Sequence, residues 1–307
     1  VATLTTSDLT LPTQIVDGIV EKTKTGSTIA ALSGQTPMRF GAVTIVTFDE
    51  DLTAEFVEQS GAKSANTAKP GSVVAVPHKA VVNFRTSDEF LIADEDYQLG
   101  ILDKFEEKCA RALARGLDLG AYYRINPRTG TPIATWTNFL NATTNRVEIG
   151  AASNPDLDVE AAAGLVIADG YRPTGIALDP SYAWTMSTAR YADGRKKYPE
   201  LGLGVDVTSF EGLAASVSST VSGKARDGDL ADNRVRGIVG NFAQGIKWGV
   251  QQRFPFRMLD AGDPDNTGRD LAGHNEVLFR TEVIFAWYVD TAQFAVIEGA
   301  APAPAAP

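Results

Sequence analysis

Two histidines, His78 and His274, and one cysteine, Cys109, are the chain's only residues of the types that most often serve as general bases, thiolate nucleophiles and transition-metal ligands. A single cysteine rules out an intramolecular disulfide and a tetrahedral thiolate zinc site. Cys109 falls on an apolar stripe and reads as a buried structural thiol, while His78, beside Pro77, reads as a polar residue at a strand end. Asp263-Pro264-Asp265-Asn266-Thr267-Gly268 imitates the opening of a calcium loop. Its twelfth position is His274, where such a loop needs a bidentate Glu, so a loop at a symmetry contact is expected instead of a metal site. Asp227, Asp229 and Asp232 read as a solvated loop. Gly223-Lys224 lacks the upstream glycine and the following Ser or Thr of a phosphate loop, and no Gly-x-Ser-x-Gly elbow occurs. The expectation is therefore no catalytic residue, no cofactor and no metal.

The elements that would position any site follow from composition and pattern. With 307 residues, 44% hydrophobic and 21% charged, the chain is long enough for one or two domains with a real core. Its formal net charge of -10 comes without any run of Lys and Arg, so phosphate-gripping nucleic-acid recognition is not expected. No stretch approaches the ~20 apolar residues of a membrane span. Val1–Thr10 shows neither the basic nor the apolar part of a signal peptide, so synthesis inside the cell is expected.

Residues 1–38 are Thr-rich, with Ile15, Val16, Ile19 and Val20 at helical spacing after Leu11-Pro12, and fit an arm packed on a neighbour or on its own body. Phe40 to Val82 reads as a long β-hairpin: Val43 to Phe48 goes out, Val73 to Val76 returns, and Ser60 to Gly71 is a polar tip. A two-stranded ribbon is marginal alone in water, so something must support it. Lys79 to Thr86 is a further strand, and Ser87 or Asp88 caps a helix start. The strongest helix runs from about Asp96 to Tyr122, with Leu102, Phe105, Cys109, Ala112, Gly116 and Gly120 as its expected buried stripe. Its other face carries Asp103, Lys104, Glu106, Glu107, Lys108, Arg111 and Arg115. Later segments give helices over Val159 to Gly170 and Ser181 to Ala192, a strand over Thr174 to Leu178, and paired strands at Val235 to Asn241 and Gly245 to Arg253. Asn275 to Ile297 reads as an apolar, aromatic strand pair, and residues 299–307 as a disordered Ala/Pro tail. Strands and helices interleave without a regular βαβ count, which makes the class α+β.

In this order the segments resemble the major capsid proteins of tailed double-stranded DNA phages, the HK97 fold. Leu11-Pro12-Thr13-Gln14-Ile15-Val16-Asp17-Gly18-Ile19-Val20 is similar to the arm motif in which Leu-Pro leads a short amphipathic helix. Pro77 through Leu91 looks like the family's strand leading into a Ser-capped helix, and Gly116 to Pro132 like the end of the spine helix with its turn. Ile176-Ala177-Leu178-Asp179-Pro180, then Ala192-Asp193-Gly194-Arg195, resembles the axial-domain strand, helix and turn. Val239-Gly240-Asn241-Phe242 resembles a Gly-Asp-Phe strand with Asn241 replacing the acid, and Glu282 to Ala292 with Phe294 the closing strands.

The resemblance implies an N-terminal arm at 1–38, an extended hairpin at 39–78, a peripheral domain with a long spine helix at 79–132 and 255–288, an axial domain at 133–254 and 289–298, and a tail. It implies a subunit that assembles with itself into hexamers and pentamers of an icosahedral head. Portal and scaffolding proteins, a decoration protein and packaged DNA held by non-specific proximity are the other implied partners, with assembly in the host cytoplasm and no membrane. Leu11, Pro12, Ile15, Ile19, Phe48, Phe56, Lys63, Lys69, Asp263 and Arg269 are the contact candidates between subunits. Some relatives join a hairpin lysine to a neighbour's asparagine with help from a buried glutamate. Lys63 or Lys69 with Asn275 would be the pair here, but Thr281 takes the acid's place and Glu282 lies one position away. Ordinary solvated lysines are expected. Rival readings are an encapsulin-type nanocompartment shell, which usually begins with a helix where this chain is Thr-rich, and an α+β enzyme, for which no convergent polar constellation is visible.

Overall fold

The computed structural model describes residues 26–48, 54–59, 61–64, 70–89, 95–149, 154–201, 207–224, 233–253 and 256–299. In chain order these form α1 (Thr28–Leu32), β1 (Val43–Phe48), β2 (Pro70–Ala75), β3 (Pro77–Ser87), α2 (Glu95–Tyr123), β4 (Arg146–Glu148), α3 (Pro155–Ala168), β5 (Gly175–Leu178), α4 (Pro180–Thr188), β6 (Ser209–Phe210), β7 (Leu213–Val217), β8 (Val235–Gly240), β9 (Ile246–Arg253), β10 (Arg257–Leu259), β11 (Glu276–Val289) and β12 (Phe294–Glu298). The class is α+β.

β1 and β2 make an antiparallel ribbon from Val43 opposite Ala75 to Phe48 opposite Pro70. A four-stranded sheet is built on β11, with β3 along one side and β9 and β10 along the other. The third sheet has six strands in the order β4-β12-β8-β5-β7-β6. Its middle strands are apolar on both faces because both faces are covered. Phe294, Val296 and Ile238 join the core under α2, while Ala295, Ile297 and Val239 join the core with Val159, Val166, Tyr182 and Met186 of α3 and α4. Alternate side chains of one strand thus serve two different cores.

Two strand pairings differ from expectation. β8 and β9 do not pair with each other: β8 pairs with β12 and β5, β9 with β11. Nor do β11 and β12 form one strand pair, since each belongs to a different sheet. The physical reason lies in the two short connections. Asn241 to Gly245 turns on a Gly245 N–H to Asn241 carbonyl bond of 2.8 Å, and Asp290 donates to the Gly245 carbonyl at 2.8 Å, so both crossovers pass from sheet to sheet side by side. Phe242 and Phe294 plug this corner edge to face, 5.2 Å apart. A Cβ on Gly240 would stand 2.4 Å from the Phe294 ring, so glycine lets the two chains meet there.

The long helix also buries a different stripe. Ala112 is exposed and Gly116 half-buried; the line runs through Leu102, Phe105, Cys109, Leu113 and Leu117. It packs on the four-stranded sheet, where the Phe105 ring meets Phe84, Phe256 and Phe279 at 5.4, 5.4 and 6.0 Å.

Candidate functional site

Residues 26–41 lie along their own subunit. Ser27 caps α1. The Thr36 N–H donates to the Trp248 carbonyl at 2.8 Å, and Gln251 exchanges hydrogen bonds with Gly41 at 3.2 and 2.8 Å. This path crosses β9 so closely that a Cβ on Gly249 would come within 2.3 Å of the Thr36 carbonyl oxygen. Beneath α1 sits Asp118, fully buried in α2. Its carboxylate accepts from the Ser27 hydroxyl, from Thr28 N–H and Oγ1 at 3.1 and 3.0 Å, from Ile29 N–H at 3.3 Å and from Thr220 Oγ1 at 2.7 Å. Burial pushes its pKa up, and these donors pull it back. Sequence reading missed Asp118; the signal was an acid flanked on both sides by leucine, Leu117 and Leu119. Leu11, Pro12, Ile15 and Ile19 lie outside the described residues.

The segment that joins β1 to β2 faces solvent. Residues 54–59 and 61–64 at its tip are all exposed, and Phe56 is 103% exposed. Val57, Val74 and Val76 are exposed as well. The tip is held locally: Ser64 donates its N–H to Glu55 at 3.0 Å and its hydroxyl to the same oxygen. Lys63 is exposed there, Phe48 ends the ladder opposite Pro70, and Lys69 lies outside the described residues.

The loop between β10 and β11 carries Asp263 and Arg269. Where a calcium ion would sit, the guanidinium of Arg85 from β3 takes the acids. Arg85 Nη2 reaches Asp263 at 3.0 Å, Nε reaches Asp265 at 3.0 Å and Nη1 reaches Glu276 at 2.8 Å. Hydrogen bonding to Arg85 holds the Asp265 carboxyl down at about 2. Asp263 also accepts from Thr267 and Gly268 N–H at 3.0 and 2.6 Å, which folds the loop on itself. Arg269 pairs with Glu276 at 2.6 Å, and the Pro264 carbonyl accepts from Arg280 at 2.7 Å. Asn275 stands at φ 52, a left-handed backbone that Asn tolerates, and its carbonyl accepts from Asp88 N–H at 2.9 Å. Thr281 is buried, whereas Glu282 faces the other way onto Lys79 at 2.7 Å. Glu282 is thus engaged within its own subunit.

His78 lies between Trp136 and Trp287, ring centroids 3.9 and 4.3 Å away, and burial pulls its pKa down to about 4. Burial pushes the Cys109 thiol up to about 12, which keeps it protonated and unreactive. Asp227, Asp229 and Asp232 lie outside the described residues. Among the described residues no group of three His, Cys, Asp or Glu could hold a metal ion, and no helix is long and apolar enough to cross a membrane. What the geometry gathers is protruding surface, with its polar groups paired for architecture.

Neither family models nor curated proteins match this sequence. Solved structures do. A chain of Mycobacterium phage Ogopogo is 36% identical, with a TM-score of 0.79 over 90% of this chain and 92% of that one. A chain of Gordonia phage Cozz is 28% identical, with a TM-score of 0.75 over 90% of this chain and 87% of that one. The capsid of a native GTA particle shares the fold at 18% identity, with a TM-score of 0.61 over 91% of each chain. The ribbon with its exposed tip, the long helix against a four-stranded sheet, the second doubly covered sheet and these likenesses converge: the chain belongs to the HK97-fold major capsid proteins of tailed double-stranded DNA bacteriophages.

Proposed function

We propose that this capsid shell subunit forms hexamers and pentamers of an icosahedral head around a double-stranded DNA genome, and that its ribbon works as a strap across a neighbouring copy. The observation that carries the reading is Phe56, wholly exposed on a ribbon whose Val57, Val74 and Val76 also face solvent. Apolar side chains presented this way gain free energy once a second surface covers them, ~25 cal/mol per Å². Repeated around a ring under closed symmetry, such contacts exceed the ~1,600 Å² of an ordinary interface. The role is structural, with no catalytic step.

In this reading the division is arm 1–38, hairpin 39–78, peripheral domain 79–132 with 255–288, and axial domain 133–254 with 289–298. Leu11, Pro12, Ile15, Ile19, Phe48, Phe56, Lys63, Lys69, Asp263 and Arg269 are its contact residues. Portal and scaffolding proteins join during assembly in the host cytoplasm, a decoration protein is a further candidate partner, and the net charge of -10 keeps packaged DNA from sticking. Deleting Val57 to Val74 is the test. A folded subunit by circular dichroism that yields no stable shells in electron micrographs is the expected result; normal heads from that variant would refute the strap.

A further inference from the structure

The acidic loop between β10 and β11 is folded around a side chain from another strand. Phe84 of β3 and Phe279 of β11 meet Phe105 of α2, so their chain neighbours Arg85 and Arg280 stand on the opposite face of the four-stranded sheet. The loop lies on that face. Arg85 Nε faces the two Asp265 oxygens at 3.2 and 3.0 Å, and Nη2 faces Asp263 at 3.0 Å and the Arg269 carbonyl at 2.9 Å. Nη1 takes Glu276, at the foot of β11, at 2.8 Å. Arg269 pairs with the same Glu276 and Arg280 donates to the Pro264 carbonyl, so three arginines stand against three carboxylates.

Little else orders this loop. Between Asp260 and Asn275 only Leu271 is buried, with its N–H on the Gly262 carbonyl at 2.8 Å. One apolar anchor is a small return for fixing so many backbone dihedrals. Three carboxylates and a carbonyl are the oxygen donors that a hard cation takes. Here they are spread along the edges of a plane. Asp265 bridges Nε and Nη2, a two-point contact that a guanidinium makes and a point charge does not.

We propose that Arg85 is the positioning residue of this loop: a resident cation, recognised by its planar fork, around which residues 262–274 take their conformation. The acids that imitate a calcium loop are thus a seat for the chain's own arginine. Asp263 and Arg269 then act first within their subunit, by giving the loop its shape. The inference does not depend on the strap, and either can fail alone.

Amide hydrogen exchange in the unassembled full chain tests it. Thr267 and Gly268 donate their N–H groups to Asp263, and Leu271 to Gly262, all inside the loop. Arg85→Ala should speed exchange at these three amides by about tenfold or more, since charged hydrogen bonds hold them closed. Exchange in β8 and β12, which belong to the other large sheet, should stay at the parental rate and so shows that the subunit is folded. Arg85→Lys keeps the charge but not the fork, and should exchange nearly as fast as the alanine variant. Ethylguanidinium at millimolar concentration, far below its denaturing range, should slow the loop of the alanine variant by about threefold or more. Ethylammonium and calcium chloride at the same concentration should not. Parental exchange in either Arg85 variant would overturn the proposal, as would a rise that extends equally to β8 and β12. So would the absence of rescue by ethylguanidinium, or an equal rescue by ethylammonium or calcium, because a point charge would then suffice.

Discussion

Asp118 illustrates what single residues do in this fold. Five donors from Ser27, Thr28, Ile29 and Thr220 converge on one buried carboxylate, so it ties the residues that enter the body from the N-terminal side to α2 and to the 219–222 turn. Asp118→Ala leaves those donors buried without an acceptor, and a loss of ~3 kcal/mol in unfolding free energy is expected. Hydrogen exchange should then rise first over residues 27–33. An Asp118→Ala subunit within ~0.5 kcal/mol of the parent would show that the carboxylate's desolvation offsets all it holds. His78 sets a pH dependence at the same scale. Its pKa is depressed from 6.5 to about 4 in the folded subunit, so the stability that its neutral form contributes is complete above pH 6.5 and is lost as pH falls toward 4. Thermal midpoints should decline through that window. His78→Phe keeps a ring between Trp136 and Trp287 but cannot titrate, and should flatten the decline; an unchanged slope would move its cause elsewhere.

At the scale of elements, α2 separates what pattern reveals from what it hides. Helix length and the apolar side were legible, because Leu102, Phe105 and Cys109 recur at the right spacing. The C-terminal part of the stripe was not. Between Leu113 and Tyr123 nearly every residue is buried, so periodicity vanishes and Ala112 with Gly116 extends the apparent line onto solvent. Leu113→Ala should cost ~3 kcal/mol by transfer and cavity terms, whereas Ala112→Glu should stay within ~0.5 kcal/mol. Denaturant midpoints of the unassembled subunit decide it, and comparable losses would restore the earlier stripe. Strand partners were hidden for a related reason. β8 and β12 bury side chains on both faces, so alternation carries no information about which strand lies beside which. The would-be calcium loop was legible as a turn; its cation was not, since Arg85 lies far away in sequence and reaches Asp263 and Asp265 only through the β3–β11 pairing.

Across the whole molecule, the question is whether a shell of such subunits needs covalent reinforcement. A lysine–asparagine amide requires a deprotonated amine, a strained or polarised amide and a nearby acid to shuttle the proton. Lys63 sits on an exposed tip. Asn275 is fixed by its backbone at a turn, Thr281 is buried, and Glu282 is held by Lys79 at 2.7 Å. The Asn275 backbone and Glu282 are therefore already engaged within their own subunit. Mature particles boiled in detergent should run as one band at the mass of a single subunit, and Glu282→Gln should leave that pattern unchanged. A ladder of oligomers lost in Lys63→Arg or Lys69→Arg would show that a neighbouring copy supplies the acid, and that the strap is welded as well as docked. Absent the ladder, the shell's resistance to internal pressure rests on many weak contacts repeated by symmetry, so particles should fall apart over a narrow range of denaturant in place of surviving as fragments.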